Sequence, residues 1–229
     1  MKNILARGGI EFLAVFLGIA LSLWVDEYQK SKEAKKLNKQ ILTRLHDNLE
    51  ADSIDGICNV NAHQIAMHGS KRISLWEKEK EPILDSLDFH LSSLAMFTFF
   101  VNNMEEYNSL KMSGRMELLQ DEELVKKLHG YYTYLVWVEE LDLLLRNYIN
   151  EQYFPFISQY SSGYVLDEKR NIYNNSYPVF IMKNYPPTDE INHHLGIIKS
   201  YRSYILMGYK NLVTRVSEIR RMIRKELRN

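Results

Sequence analysis

The chain has 229 residues with 29 basic and 29 acidic side chains, so the basic excess of a nucleic-acid binder is absent and no nucleic-acid partner is expected. Its single cysteine, Cys58, excludes an internal disulfide and reads as a packing residue. Ten glycines, five prolines and long breaker-free stretches rich in Leu, Ile, Glu and Lys predict an all-α protein, without internal repeats or low-complexity tracts.

After a short tail, residues 1–7, the segment 8–25 reads GGIEFLAVFLGIALSLWV, with Glu11 as its only charge. At 1.5 Å per residue it measures about 27 Å, close to the hydrocarbon thickness of a bilayer, and it is predicted to be a transmembrane helix. Lys2 and Arg7 precede it, and Trp24 and Tyr28 beside Asp26 and Glu27 suit the far interface. A cleaved signal peptide, with Ala20-Leu21-Ser22 as its cleavage site, and a buried helix of a soluble protein are the competing readings. The length of the run, Glu11 within it and the position of Trp24 favour the span. Glu11, Ala14, Gly18 and Ser22 share one helical stripe, which predicts self-association of spans and a homo-oligomer. The alternative is that small residues are common in spans and that Glu11 simply reaches the interface.

The soluble domain occupies 26–229. Lys30, Lys32, Lys35, Lys36, Lys39 and Arg44 follow the span, against Lys2 and Arg7 before it, which places the domain in the cytoplasm by the positive-inside tendency. No Pro or Gly interrupts 26–55, and Leu37, Ile41, Leu45 and Leu49 recur every four residues, so the membrane helix is expected to continue outward as a rigid stalk. Ile54, Ile57, Cys58, Ile65 and Ile73 extend its apolar stripe past Gly56 and Gly69 until Pro82 ends it.

A helix over 83–112 with a densely buried end, MFTFFV, is predicted next, then a break at Ser113-Gly114 and a helix over 115–153 stopped by Pro155. Residues 154–187, rich in Tyr, Asn and Pro, show no sustained period and read as an irregular excursion. Its tyrosines either form a face for a protein partner or pin the loop to the bundle. The last helix begins near Thr188 and Asp189, read as an N-cap pair. Ile191, Leu195, Ile198, Ile205, Leu212, Val216, Ile219 and Ile223 follow a 3.5-residue spacing that suits coiled-coil packing. The helix should return antiparallel along the stalk, with Leu212, Val216, Ile219 and Ile223 facing Leu37, Ile41, Leu45 and Leu49. Its basic end, Arg220, Arg221, Arg224, Lys225 and Arg228, then either approaches an anionic bilayer or is a solvated terminus complementing the helix dipole.

Phosphate-loop, nucleophile-elbow and zinc signatures are absent, so no enzyme and no cofactor is expected. His63 with His68, and His193 with His194, lack the spacing of metal ligands on one helix face. The adjacent pairs Glu105-Glu106, Glu122-Glu123 and Glu139-Glu140 read as solvated faces.

RGGIEFLAVFLGIALSLWVDEY followed by LHDNLEADS, with Tyr107, Leu110, Ser113, Gly114 and Arg115 in the central YNSLKMSGR and Tyr131-Tyr132 beyond it, resembles a family of uncharacterised bacterial membrane proteins classed as a domain of unknown function. The resemblance covers the N-terminal fifth and the middle; it implies a membrane anchor in the bacterial inner membrane and no known activity. The expected function is that of a bilayer-anchored, self-associating sensor or interaction module. An oligomeric pore lined by Glu11, Gly18 and Ser22, and a membrane-tethered enzyme, are the alternatives.

Overall fold

The computed structural model describes residues 2–79, 86–172 and 175–228; within them the side chains of 2–11, 14, 76–79, 167–172, 175–177 and 188 stay outside the description. Helix α1 (Lys2–Glu79) runs for 78 residues without interruption, about 117 Å at 1.5 Å per residue. The predicted continuity of N-terminal segment and stalk is therefore present. Among the described residues no helix is long and apolar enough to cross a membrane. The expected span, 8–25, lies partly outside them, as do the side chains of Glu11 and Ala14.

Along α1 a buried seam runs through Leu42, Leu45, Leu49, Asp52, Gly56, Asn59, His63, Ala66, Ser70 and Ile73 in alternating steps of three and four, with Ile41, Ala62 and Gly69 buried beside it. Helix α4 (Glu122–Tyr148) repeats the pattern with Leu124, Leu128, Tyr131, Leu135, Val138, Asp142 and Leu145. Helix α6 (Thr188–Glu226) does so with Ile191, Leu195, Ile198, Arg202, Ile205, Tyr209, Leu212, Val216, Ile219 and Ile223. Three helices thus bury heptad seams against one another in coiled-coil fashion. Helix α6 is antiparallel to α1: Arg202 meets His63, the Cβ position of Gly56 lies 3.1 Å from Val213, and Arg220 pairs with Glu50 at 2.6 Å. Ile41, Leu45 and Leu49 share one core with Leu212, Val216, Ile219 and Ile223, and Leu37 packs at its edge, as the paired stripes predict. Ile54 and Ile57 are instead exposed, because the seam there passes through Asp52, Gly56 and Asn59.

Pro82 and residues 83–85 lie outside the described residues; over 86–112 the predicted helix is two short ones, α2 (Leu87–Leu94) and α3 (Glu105–Met112), joined by a non-helical strap, 95–104. The strap's backbone is claimed by α1: Asp55 accepts the N–H of Val101 at 3.0 Å, and Asp52 accepts the N–H of Asn103 at 3.0 Å. Those bonds replace an intrahelical ladder in a run of β-favouring Phe, Thr and Val. Helix α4 starts at Glu122, later than expected, because the Asp121 carboxylate caps it by accepting from the N–H groups of Glu123 and Leu124; Arg115–Leu118 is a separate 3-10 turn. Pro155 does not stop the helix. A π turn, Ile149–Tyr153, widens the ladder just before it, and α5 (Phe154–Ser158) carries on.

The fold is mostly helical, and the all-α expectation is corrected in one place. Within 154–187 lie α5 and an antiparallel hairpin, β1 (Ser161–Ile172) and β2 (Asn175–Met182), with Tyr164 opposite Phe180 and Leu166 opposite Pro178. Phe180 and Met182 pack against the core while Ile181 points to solvent, a two-residue alternation too short to register in the sequence. Helix α6 begins at Thr188 with Pro187 in the cap position, so Thr188 and Asp189 lie inside its first turn and do not cap it.

Candidate functional site

At the centre of the bundle the seams turn polar. Arg202 is fully buried, and its guanidinium donates to the carbonyls of Leu94 at 2.9 Å, Met96, and Ser93 at 3.5 Å. It thereby holds the C-terminal carbonyls of α2, where a helix favours positive charge. The same guanidinium donates to Nδ1 of buried His63 at 2.9 Å. A guanidinium has no acceptor, so Nδ1 must be the accepting nitrogen and the ring proton sits on Nε2. That N–H faces Thr98 Oγ1 at 3.0 Å and Asp142 Oδ1 at 3.4 Å, and Tyr209 donates its hydroxyl to Asp142 Oδ2.

Burial, reinforced by Arg202 and opposed by Asp142, holds the His63 pKa below its ordinary value, which keeps the imidazole neutral between a cation and an anion. Burial and the Asp142 carboxylate push the Tyr209 hydroxyl up, so it remains a donor. Nearby along the seam Asp52 accepts from Tyr131 at 2.8 Å as well as from Asn103, and burial raises its pKa against those hydrogen bonds.

Thr98, His63 and Asp142 superficially resemble a nucleophile, base and orienting acid. The arrangement cannot work that way: the nitrogen facing Thr98 carries the proton, and the free lone pair is occupied by Arg202. The polar chain can compensate charge and fix helix register, but it offers no base to a substrate.

Among the described residues the predicted site residues do not converge within the chain. Gly18 and Ser22 are exposed, and the Ser22 hydroxyl donates to Gly18 O of its own helix at 2.9 Å. Lys30, Lys32, Lys35 and Lys36 are exposed, Lys30 pairing with Asp26 at 2.7 Å. Arg221, Arg224 and Lys225 are also exposed, whereas Arg220 is committed to Glu50. The end of α6 reaches Asn38 of α1, which bonds Glu226. Asn38 lies thirteen residues past Val25, so the basic end of α6 stops about 20 Å along the helix from the end of the predicted span.

The central motif is a packing and turning device. Tyr107 is buried, stacks on Tyr132 with ring centroids 4.1 Å apart and bonds His129 at 2.5 Å; Leu110 is buried beneath it. Ser113 caps α3 through Ser109 O, and Gly114, at φ +69°, takes the left-handed turn that leads into exposed Arg115.

The His193 and His194 rings meet edge-on, with centroids 5.6 Å apart, but His194 bonds Tyr148 at 2.8 Å and lies over Phe156, while His68 meets His90 edge-on. Glu122 and Glu123 are both exposed, while the other two carboxylate pairs split. Glu106 holds Arg44 at 2.7 Å and Glu139 accepts from Asn102, with Glu105 and Glu140 exposed. Among the described residues one trio, His46, Asp47 and Glu50, has ligating atoms within 4.8 Å of one another, and Glu50 is already held by Arg220.

Arg202, Asp142 and Asp52 do not stand out as site residues in the sequence, although it holds a signal for them. In the 3.5-residue pattern of α6 the positions between Ile198 and Ile205, and between Ile205 and Leu212, are filled by Arg202 and Tyr209. A heptad seam continued through polar residues marks a buried polar layer. Compared with family models, curated proteins and solved structures, the chain matches none.

Proposed function

We propose that this chain is a single-pass, membrane-anchored helical protein that self-associates and serves as a sensor or interaction module, not as an enzyme. What carries the reading is the exposure of α1 ahead of the bundle. Its large apolar side chains at 12, 13, 15–17, 19, 21 and 23–25 are 44–72 % exposed, and among the described residues the first buried one of the helix is Ile41. An apolar surface wrapping a whole helix is untenable in water and suits hydrocarbon. The resemblance of the N-terminal segment to bacterial membrane proteins points the same way. The lysines after residue 29 favour a cytoplasmic domain. The proton placement on His63 supports a non-catalytic core.

Expressed in full, the chain is expected in the membrane pellet after an alkaline carbonate wash, and Val15→Arg with Leu17→Arg is expected to release it. Wild-type protein in the supernatant would overturn the anchor. Cross-linking in mild detergent at high protein concentration tests self-association, which fails if only monomer is seen. A reporter fused to the C-terminus decides the compartment.

A further inference from the structure

The hairpin does not lie flat on the bundle. Between it and the end of α2 is a cavity of about 480 Å³, walled by Met96 and Phe97 of the strap, Phe154 of α5, and Leu166 and Phe180 of the hairpin. That volume lies within the range of small-molecule sites. Among the described residues no charged side chain contributes to the lining. The Ser92 hydroxyl, which reaches the wall, accepts from Phe180 N–H at 2.8 Å and donates to Asp88 O at 2.6 Å. Tyr164, Leu166 and Pro178 form an exposed rim, so the cavity opens to solvent.

We propose that this cavity is a binding site for the aliphatic chain of a diffusible single-chain amphiphile, closed on one side by the β1–β2 hairpin. With no charge among the described wall residues and the buried hydroxyl engaged on both sides, selection rests on burial of apolar area, which favours the ligand with the most hydrocarbon per polar atom. The polar head remains at the rim, in water. The site lies far from the proposed anchor: α2 packs on α1 at Gly69, whose Cβ position is 3.3 Å from His90 O, and Gly69 is forty-four residues past Val25, about 66 Å along the helix. A lipid seated in the host bilayer cannot reach it, so the chain must arrive on a molecule that leaves a membrane. Only this last step rests on the anchor reading; the cavity itself does not.

The test uses the full chain in phosphatidylcholine nanodiscs, labelled with a decanoic-acid diazirine photoprobe, with cross-links mapped by mass spectrometry. Labels are expected on Met96, Phe97, Phe154, Leu166 or Phe180. Excess free decanoic acid should suppress them at least fivefold, and added phosphatidylcholine vesicles should not. Leu166→Asp, a change at an exposed rim position, should reduce labelling at least fivefold, while Leu166→Phe keeps it; hydrogen exchange across β1 and β2 verifies that the hairpin persists in both. Labels confined to 8–25, suppression by indole but not by decanoic acid, or labelling indifferent to Leu166→Asp would each overturn the proposal. Because carbonate extraction reads the anchor separately, failure of one leaves the other standing.

Discussion

Arg202, His63 and Asp142 illustrate how a buried charge is made tolerable. Arg202 and Asp142 are removed from water, which costs several kcal/mol per ion, and they recover part of that through charge-assisted bonds to carbonyls, the neutral His63 imidazole and the Tyr209 phenol. Removing one member should therefore cost more than removing the set. Arg202→Leu, which leaves the carbonyls of Leu94 and Met96 without their donor, is expected to destabilise the bundle by about 3–5 kcal/mol. The triple change to Leu at Arg202, His63 and Asp142 should recover part of the loss, as urea unfolding would read. A triple variant less stable than the single one would refute the compensation argument.

His63 also makes stability depend on pH. Burial first, then Arg202, depresses its folded pKa below 6.5, the value expected when unfolded, with Asp142 opposing. Below 6.5 the unfolded chain binds the proton more readily than the folded one. The contribution is thus fully present above 6.5 and is lost as pH falls through the folded pKa. Melting temperature should decline on acidification in that window more steeply for wild type than for His63→Gln. Parallel curves would show that His63 does not titrate with folding.

At the scale of elements, the strap and the helix crossings carry the specificity. Asp52 accepts two hydrogen bonds from Asn103 and one from Tyr131, so Asp52→Ala is expected to cost about 2–4 kcal/mol and to raise hydrogen exchange first at Val101 and Asn103. Close helix approach depends on particular glycines. A Cβ at Gly208 would sit 2.9 Å from Val138 Cγ2, whose β-branched side chain has little room to turn, whereas nothing lies within 4 Å of one at Gly196. Alanine gains about 1 kcal/mol over glycine from helix propensity at either position. Gly196→Ala should accordingly stabilise by up to about 1 kcal/mol, and Gly208→Ala should destabilise by about 1–2 kcal/mol through overpacking. Equal effects of the same sign at the two sites would rule out tight α4–α6 contact at Gly208.

For the whole molecule, the returning helix covers the stalk. Leu212, Val216, Ile219 and Ile223 are each about 1 % exposed or less, and burying four such side chains contributes at most about 6–12 kcal/mol before chain entropy is counted. A chain truncated after residue 211 is expected to lose cooperative melting and helical content per residue, as circular dichroism would record. Retention of both would mean that α1 and α4 form a stable pair alone.

Legible along the chain were the long-range repeats: a continuous α1, a heptad-patterned α6, their antiparallel pairing, and the Ser113-Gly114 stop, because periodicity and backbone stereochemistry act locally. The rest waited on contacts between distant segments. MFTFFV became a strap because the carboxylates of Asp52 and Asp55, about fifty residues away, offered its backbone better partners than a helix could. Pro155 was carried through by a π turn, and the tyrosine-rich segment paired into a hairpin once the core gave Phe180 a place to pack. Arg202, hidden among charges in the chain, became the centre of the core because only in three dimensions do His63, Leu94 and Met96, each more than one hundred residues away, converge on one guanidinium.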